Sequence, residues 1–381
     1  MKALVYGLAR SGRAAAARLA NPVLVDRSVG NEDDLSLLDG IDVLVKSPGV
    51  PGDLPLVLVA RERGIPVWSE VELGYQLLAP TGTRLVGVTG TNGKSTTTAL
   101  LGAVFEAAGR DVAVAGNIGV PITSIERADW VVCELSSFQL EDVHELACDV
   151  AVLLNLEPDH LDRYVSFDDY RDAKLRIFER ARVKVVPRGL GLDGIEFSAD
   201  DPLPAEPLIR GAHNRENAAA ATAAARASGI GDDAIAEALR TFPGVPHRLE
   251  LVGERDGVRY VNDSKATNVA AALRGLAAYA GEPVHLILGG SPKGEDFAPL
   301  AAAVGSNVLS VHLIGAEAER LGALIDGERD GTLDAAVAHA ERLARPGDVI
   351  LLSPACASFD QFDDFEQRGE AFRALALRET P

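Results

Sequence analysis

The chain has 381 residues, of which 47% are hydrophobic and 24% are charged, and its formal net charge is -19 at pH 7. This length exceeds what one hydrophobic core usually holds, so two or three domains are expected, and the apolar content excludes a disordered chain. The acidic charge disfavours nucleic acid as a partner, because binding to a phosphate backbone needs a positive surface.

The sequence also indicates the compartment. No uninterrupted apolar run approaches the roughly 18 residues of a membrane span, and the N-terminal segment lacks the pattern of a signal peptide. Cys133, Cys148 and Cys356 are far apart and form no CxxC pair, which is typical of a reducing compartment and argues against a zinc site. We therefore expect a soluble, cytoplasmic protein with no membrane insertion.

Alternating strand and helix patterns divide the chain into three blocks, which predicts an α/β protein of three domains with parallel sheets. The first block, 1–80, has predicted strands over 3–6, 23–25 and 43–45 and ends in a linker over 79–82. Its turn from Gly7 to Gly12, followed by Asp26, is similar to a dinucleotide-binding fingerprint whose second glycine is replaced by Ala9. Alanine thickens the turn where a pyrophosphate would approach, so NAD is disfavoured, and another nucleotide and a structural turn are equally open.

The second block, 81–243, has predicted strands over 85–89, 112–115, 130–133 and 150–154 and closes with helices over 214–227 and 232–240. Between its first strand and a helix predicted over 97–108 lies Gly90-Thr91-Asn92-Gly93-Lys94-Ser95-Thr96. Glycines let backbone N–H groups surround phosphate oxygens, the lysine reaches the terminal phosphates, and the hydroxyl can hold magnesium. This order predicts a phosphate loop, although Val88 stands where a strict P-loop has glycine.

Three further residues of this block are candidates for the site. Glu134 follows the strand over 130–133, where a carboxylate suits Mg²⁺, but a surface acid at a strand end is the alternative. His160 also follows a strand and could contact substrate or cap a helix, since imidazole is a less natural ligand for magnesium than oxygen is. Lys174 lies in a helix predicted over 167–181, and pattern alone favours a solvated lysine there.

The third block, 244–381, begins at the linker 243–246 and has predicted strands over 259–261, 285–288, 311–314 and 349–352. Polar loops follow three of them, over 262–268, 289–293 and 353–358. In a parallel sheet these loops would share one edge, where open α/β sheets bind ligands. Lysines and hydroxyls at that edge would suit a carboxylate-bearing substrate. The polar segments 213–217 and 246–248 could equally cap helices, form turns or contact ligand.

Together these motifs resemble the Mur ligase family along essentially the whole chain. The segment Gly90 to Thr96 resembles the phosphate loop of the family, and the segments 134–139, 159–164, 263–268 and 353–369 are similar to its D-glutamate-adding branch. The resemblance implies a Rossmann-like N-terminal domain, a central mononucleotide-binding ATPase domain and a Rossmann-like C-terminal domain. The implied activity is ATP-dependent joining of D-glutamate to UDP-N-acetylmuramoyl-L-alanine, through an acyl phosphate, in peptidoglycan synthesis.

The resemblance also implies roles for individual residues. ATP would be held by Gly90, Thr91, Asn92, Gly93, Lys94, Ser95, Thr96, Asn214, Asn217, Arg248 and Asp263. Magnesium, as two ions, would be held by Ser95, Glu134, His160 and a carbamylated Lys174, and Lys94, Glu134, His160 and Lys174 would be catalytic. The UDP substrate would contact Ser11, Asp26, Arg27, Asn117, Ser137 and Gln139, and D-glutamate would contact Thr267, Lys293, Ser358, Phe359 and Phe365. The protein would act as a monomer on these small molecules.

The chain departs from the family pattern in places. Arg10 and Phe359 stand where the family often has apolar and aliphatic residues, Ser291 stands where an acid is frequent, and the stretch 186–211 is short. The uridine contacts after Asp26 are therefore open. Two other classes are alternatives: a nicotinamide oxidoreductase built on the first turn, and a nucleotide-hydrolysing switch without ligase chemistry.

Overall fold

The computed structural model describes residues 2–159 and 163–378, in two compact units. One unit comprises Met1–Pro207 and His213–Phe242, and the other comprises Leu208–Ala212 and Pro243–Pro381. The first unit contains two sheets and the second contains one. The α/β class with parallel sheets is confirmed, while the division into three domains stays a prediction.

The first sheet has four parallel strands in the order β2-β1-β3-β4. Its strands are β1 (Ala3–Tyr6), β2 (Val23–Val25), β3 (Val43–Lys46) and β4 (Val67–Ser69), and its helices are α1 (Arg10–Ala17), α2 (Pro55–Glu62) and α3 (Glu70–Leu78). The predicted strands are confirmed, with β3 one residue longer. The three-residue strand β4 has too short an apolar run to be predicted.

The second sheet has six parallel strands in the order β10-β9-β8-β5-β7-β6. The strands are β5 (Arg84–Thr89), β6 (Val112–Gly116), β7 (Trp130–Glu134), β8 (Val150–Leu153), β9 (Val183–Pro187) and β10 (Ile195–Phe197). The helices are α4 (Lys94–Ala107), α5 (Ser137–Leu140), α6 (Phe167–Leu175), α7 (Ala212–Ala227) and α8 (Asp232–Thr241). The prediction of one helix over 167–181 is wrong at its end, because α6 stops at Leu175 and continues as the 3₁₀ turn Arg176–Phe178.

The third sheet has the order β11-β12-β16-β13-β14-β15 and is parallel except for the antiparallel pair of β11 and β12. Its strands are β11 (Glu250–Arg255), β12 (Val258–Asn262), β13 (Val284–Gly289), β14 (Val308–Ile314), β15 (Glu328–Gly331) and β16 (Val349–Leu352). Its helices are α9 (Val269–Ala277), α10 (Ala298–Ala303), α11 (Ala318–Gly322), α12 (Leu333–Leu343) and α13 (Phe365–Leu377).

The central strands are buried on both faces, as parallel sheets between helix layers require. In the second sheet Val86, Val132 and Val152 have no exposed surface, and in the third sheet Ile287 and Leu351 have none. Because these strands pair in parallel, their carboxyl ends meet at one edge of each sheet, where open α/β sheets bind ligands. In residues 2–159 and 163–378, no helix has the length and apolar character needed to cross a bilayer.

Candidate functional site

The phosphate-loop segment joins β5 to α4 and leads directly into the first turn of that helix. Its glycines permit backbone angles that other residues avoid, with φ of 155° at Gly90 and 81° at Gly93. Ser95 and Thr96, in the first turn of α4, are almost fully buried. A helix N-terminus presents free N–H groups and a partial positive charge, so this loop is built to bind an anion.

Neighbouring elements hold the loop in place. The backbone N–H of Asn92 donates to Asn155 Oδ1 at 2.8 Å, and the Asn92 side chain donates to Glu157 at 2.8 Å. Asn217 of α7 lies against the other side, where a Cβ added to Gly93 would be 2.2 Å from Asn217 Oδ1. Glycine is therefore required at position 93 by this close approach. Asn217 in turn donates to Asn214 at 3.1 Å, so both predicted ATP residues of α7 lie beside the loop.

Two lysines converge on one carbonyl oxygen in this loop. Lys94 Nζ donates to Gly90 O at 2.8 Å and to Thr91 O at 2.9 Å, while Lys174 Nζ donates to Gly90 O at 2.8 Å. The expectation from pattern that Lys174 is solvated is wrong, because its side chain is buried at the end of α6 and its Nζ lies 4.6 Å from the Tyr170 ring centroid. Burial, reinforced by the charge of Lys94, lowers the pKa of Lys174 from 10.5 to about 7.

Glu134, the last residue of β7, is a buried carboxylate rather than a surface acid. Its Oε1 accepts from Asn117 Nδ2 at 3.0 Å, while its Oε2 has no hydrogen-bond partner among the described residues. A buried anionic oxygen without a partner is costly unless a cation or a donor reaches it. The charge of Glu134 also raises the pKa of Lys174, which opposes the lowering effect of burial and places the two groups near each other.

The predicted substrate residues of α5 are buried and are also used within the fold. Ser137 and Gln139 are almost fully buried, and Gln139 Oε1 accepts from the Ser136 backbone N–H at 2.9 Å and hydroxyl at 2.8 Å. Together with the Ser136 hydroxyl, which accepts from the Gln139 N–H, this forms a capping box at the start of the helix. His160 lies outside the described residues.

Next to the first sheet, the carboxylate of Asp26 accepts a hydrogen bond from the turn that runs from Gly7 to Gly12. Asp26 Oδ2 accepts from the Leu8 N–H at 2.6 Å and its Oδ1 from Ser28, and these hydrogen bonds, led by that of Leu8, lower the pKa of Asp26 to about 2. A Cβ on Gly12 would lie 1.7 Å from Gly7 O, so this glycine is a packing requirement. Ser11 is half-buried and Arg27 is exposed beside this turn.

In the second unit, the predicted loops meet at the carboxyl edge of the third sheet. Asp263 follows β12 and its Oδ2 accepts from Ser353 Oγ, after β16, at 2.7 Å. Burial raises the pKa of Asp263 to about 7, against the lowering effect of its hydrogen bonds and of Arg248. Lys293, after β13, donates to Thr267 at 3.3 Å. The expectation that these three loops share an edge is confirmed by the parallel order of β12, β16 and β13.

The predicted D-glutamate residues of the last loops differ in exposure. Ser358 is 2% exposed and Phe359 is 72% exposed. Phe365 begins α13 and lies against Lys265, whose Nζ is 5.1 Å from its ring centroid.

The comparisons with known proteins agree with this arrangement. The model of the Mur ligase middle domain matches residues 88–188, and that of the Mur ligase glutamate ligase domain matches residues 247–356. A UDP-N-acetylmuramoylalanine–D-glutamate ligase of Anaeromyxobacter dehalogenans is 44% identical over 97% of this chain and 91% of the relative. The chain belongs to the Mur ligase family. A ligase of the same name from Sphingopyxis alaskensis is 45% identical over 91% of this chain and 86% of its own length.

Solved structures show that the Mur ligase fold extends along the chain. A UDP-N-acetylmuramate–alanine ligase of Thermotoga maritima superposes with a TM-score of 0.63 at 18% identity, covering 98% of both chains. A MurF ligase of the same organism, solved in complex with ADP, gives a TM-score of 0.62 at 18% identity and covers 90% of both chains. At this identity the likeness establishes the fold alone.

Several residues that shape this Mur ligase site were not predicted. Asn155 holds the phosphate loop, and Tyr170 donates to Thr91 at 3.1 Å. Arg368 of α13 is fully buried and donates to the carbonyl oxygens of Ser264, Cys356 and Ala357. The sequence alone does not show that a charged residue such as Arg368 is buried. Position 368 lies in the segment 353–369 that resembles the D-glutamate-adding branch, and the helical period of α13 places it on the same face as Phe372, but no role was predicted for it.

Proposed function

We propose that this chain is the ATP-dependent ligase that joins D-glutamate to UDP-N-acetylmuramoyl-L-alanine in peptidoglycan synthesis. The observation that supports it best is a phosphate loop with two converging lysines beside a buried carboxylate, in a chain whose curated relatives along nearly its whole length are D-glutamate ligases. The reaction forms an amide bond, so it needs both nucleotide activation and an amine acceptor.

The proposed chemistry has two steps. The L-alanyl carboxylate oxygen attacks the γ-phosphorus of ATP, so that a C–O–P linkage forms and ADP leaves. The amine of D-glutamate then attacks the acyl carbon, phosphate leaves with the electrons of the C–O bond, and the amine loses a proton. Lys94 and the N-terminus of α4 would offset charge that develops on the transferred phosphoryl group, and alignment supplies much of the remaining rate.

The residues proposed to bind ATP are Gly90 to Thr96, Asn214 and Asn217 of the first unit, and Arg248 and Asp263 of the second. We propose that the three sheets act as three domains, divided at 1–80, 81–243 and 244–381, as in the sequence prediction.

Magnesium fits the residues of the first unit. The Glu134 oxygen that lacks a partner among the described residues, together with the Ser95 hydroxyl, offers the hard oxygen ligands this ion prefers. His160, outside the described residues, would also hold magnesium, and two ions are expected. When bound, magnesium would neutralise charge on the phosphate oxygens.

Lys174 would be carbamylated. The reaction, R–NH₂ + CO₂ → R–NH–COO⁻ + H⁺, consumes the neutral amine, and a pKa of about 7 makes this form abundant at neutral pH. As an ammonium, Lys174 faces a second ammonium across one carbonyl oxygen. As a carbamate, it would form an opposite pair with Lys94 and supply oxygen atoms to magnesium.

The two other substrates would contact separate sets of residues. Asn117, Ser137 and Gln139 would contact the muramoyl part. Ser11, Asp26 and Arg27 would contact the uridine part, although Asp26 already accepts hydrogen bonds within its own turn. D-glutamate would lie at the edge of the third sheet, against Thr267, Lys293, Ser358, Phe359 and Phe365. The protein would act as a monomer in the cytoplasm, where its buried free cysteines stay reduced.

The decisive experiment measures phosphate release from ATP and amide formation with UDP-N-acetylmuramoyl-L-alanine, comparing D-glutamate with L-lysine, meso-diaminopimelate and D-alanyl-D-alanine. We expect turnover with D-glutamate alone. Lys94→Ala should lower kcat by about 10²- to 10³-fold, as for loss of other groups that stabilise transition-state charge, and Lys184→Ala on β9 is the matched control. Equal turnover with another amino acid would refute the assignment of D-glutamate as the substrate. Phosphate release without any amino acid would indicate a nucleotide-hydrolysing switch.

The carbamate is tested separately. Lys174→Ala should lose amide formation and regain part of it when a short carboxylate such as acetate or propionate is added, because the added oxygen atoms replace those of the carbamate. Lys94→Ala is the control that the carboxylate should not rescue. A fully active Lys174→Ala enzyme, or a mass spectrum of active wild type with only free amine at position 174, would contradict this role.

A further inference from the structure

A polar network crosses the third sheet away from the loops described above. It runs over four adjacent strands, from Asp348 at the start of β16 through His285 on β13 and Ser310 and His312 on β14 to Asp330 on β15. His339 of α12 completes it on the far side of Asp330. All these residues belong to the second unit.

The end of this network has the composition of a metal site. Within the described part of the chain, His312, Asp330 and His339 form a group whose ligand atoms all lie within 4.8 Å of one another. Asp330 bridges the two imidazoles, with Oδ2 2.7 Å from His312 Nδ1 and Oδ1 2.9 Å from His339 Nδ1. The register of β14 and β15 shifts at this point, which places Asp330 at a β-bulge, a device that re-aims a side chain.

The protons of this network do not suffice for all of its contacts. Besides the two contacts of Asp330, Ser310 Oγ lies 2.8 Å from His312 Nε2 and 2.7 Å from His285 Nδ1, and His285 Nε2 lies 3.2 Å from Asp348. Five contacts need five protons. With both carboxylates ionised, three neutral imidazoles and one hydroxyl supply four, because each carries a single proton, and a fifth would require one charged imidazole.

We propose that His312, Asp330 and His339 bind a divalent transition-metal ion of the zinc class, with water as the fourth ligand. An ion between His312 Nδ1, His339 Nδ1 and the carboxylate replaces the two contacts of Asp330 by metal–ligand bonds. His312 then bears its proton on Nε2 and donates to Ser310, Ser310 donates to His285, and His285 donates to Asp348. Every remaining contact has one proton, and no histidine needs to be charged.

The surroundings fit such an ion in two respects. Neutral imidazole and carboxylate are established zinc ligands, and three protein ligands leave one position open. The ligating His312 would have the outer-shell acceptor Ser310 that metal-bound histidines usually have.

The site is also accessible. The His312 side chain is buried, but those of Asp330 and His339 are 11% and 26% exposed, so an ion can enter between β15 and α12. The cysteine spacing argues against a thiolate zinc site, and this cluster needs none. A bound ion would tie the edge strand β15 to α12 and β14, and it would act there independently of the ligase reaction.

The test is calorimetric titration of the full-length chain with Zn²⁺ in excess Mg²⁺, which occupies the oxygen-rich site of the first unit. We expect one ion to bind per chain outside that site. Asp330→Asn and His339→Gln should each weaken binding at least tenfold, and Ser310→Ala should weaken it by about 10- to 100-fold, as for other outer-shell partners. His144→Gln, at a histidine of the first unit, is the control that should bind as wild type does.

A spectroscopic readout makes the test independent of how the variants fold. Co²⁺ in place of Zn²⁺ should give the intense visible absorption of a four-coordinate ion in wild type, and Zn²⁺ should displace it. Absence of Zn²⁺ binding in wild type, a weak six-coordinate Co²⁺ spectrum, or unchanged affinity in folded Asp330→Asn and His339→Gln would each overturn the proposal.

Discussion

At the scale of single residues, the first-unit site contains two lysines, Lys94 and Lys174, in different environments. Lys94 begins α4, where the loop carbonyl groups hold it, and Lys174 is enclosed at the end of α6 with an aromatic ring on one side. Burial penalises the charged form of Lys174, and the neighbouring charge of Lys94 adds to this effect. The chemical difference between them is therefore set by position and not by residue type.

The lowered pKa of Lys174 predicts how stability depends on pH. The amine has a pKa of about 7 in the folded chain and 10.5 when unfolded, so between these values the unfolded chain binds more protons and stability rises with pH. Below pH 7 Lys174 is charged in both the folded and the unfolded chain, so the full free-energy cost of burying its charge lowers the stability of the folded chain. In CO₂-depleted buffer, wild type should therefore gain stability relative to Lys174→Met from about pH 7 to 10, as measured by urea unfolding. A pH-independent difference between the two would contradict the lowered pKa.

The edge of the third sheet predicts a separation of substrate effects. Lys293→Ala removes a cation beside Thr267, and Ser358→Ala removes a buried hydroxyl. Each should raise the KM for D-glutamate, by about 10- to 100-fold for the lysine, since hydrogen bonds to charged groups contribute about 1.5–3 kcal/mol. The KM for ATP should change little. Equal increases for both substrates would show that this edge does not bind the amino acid, and Lys184→Ala again serves as the control.

At the scale of elements, helix α13 organises two of the loops at that edge through one side chain. Arg368 Nε donates to Ser264 Oγ at 2.9 Å, and its terminal nitrogens donate to Ser264 O and to Cys356 O at 2.8 and 3.2 Å. Burial lowers the pKa of Arg368 to about 10, which still leaves the guanidinium charged at neutral pH. Arg368 is thus a positioning residue, since it holds the backbone of loops that would bind D-glutamate.

Replacing this arginine should distort the loops without removing a ligand. Arg368→Met keeps the length of the side chain but leaves buried carbonyl groups without donors, at about 1–3 kcal/mol each. We expect a higher KM for D-glutamate and a smaller change in the KM for ATP, measured beside thermal unfolding. Arg373→Met, on the same helix and paired with Glu250 and Glu370, is the matched control. If the variant had reduced stability but unaltered KM values, Arg368 would contribute to folding and not to the positioning of the D-glutamate loops.

At the scale of the whole molecule, the first two sheets belong to one compact unit because buried polar groups join them. Lys46 of β3 pairs with Asp142 at 3.1 Å, and both side chains are nearly inaccessible. Glu72 of α3 has no exposed surface and accepts from the backbone N–H groups of His144, Glu145 and Leu146 at 2.9–3.1 Å. Unfolding of either sheet would break these contacts and leave buried polar groups of the other without partners, which couples the unfolding of the two sheets.

We therefore predict that the first two sheets unfold in one transition. The two tryptophans allow a direct test, because Trp68 lies on β4 of the first sheet and Trp130 on β7 of the second. Fluorescence of Trp130→Phe and Trp68→Phe should report the same urea midpoint. Glu72→Ala should lower both midpoints together, with a loss of at least about 3 kcal/mol from three unpaired N–H groups. Exposed Glu62 provides the control Glu62→Ala, and an earlier transition of the first sheet would refute the coupling.

The sequence alone determined the parts of the structure that depend on local pattern. Short apolar runs located most inner strands of the three sheets, because strands buried on both faces are largely apolar, although the inner strand β9 was missed. The glycines and lysine of the phosphate loop, read between a strand and a helix, identified an anion site. The edge strands β2 and β6 were predicted, but β4, β10, β11 and β15 were missed. The last of these has the sequence Glu-Arg-Asp-Gly and is held by backbone pairing with β14, without an apolar run of its own.

The tertiary structure decided the properties that depend on neighbours distant in the chain. The position of Lys174 in its helix gave no sign of its burial or its lowered pKa, which arise from Tyr170, Lys94 and the loop carbonyl groups packed around it. Similarly, His312, Asp330 and His339 are separated along the sequence and come together only through a strand register and a helix packed on the sheet. Burial and electrostatic coupling are sums over such neighbours, so they exist only once the chain has folded.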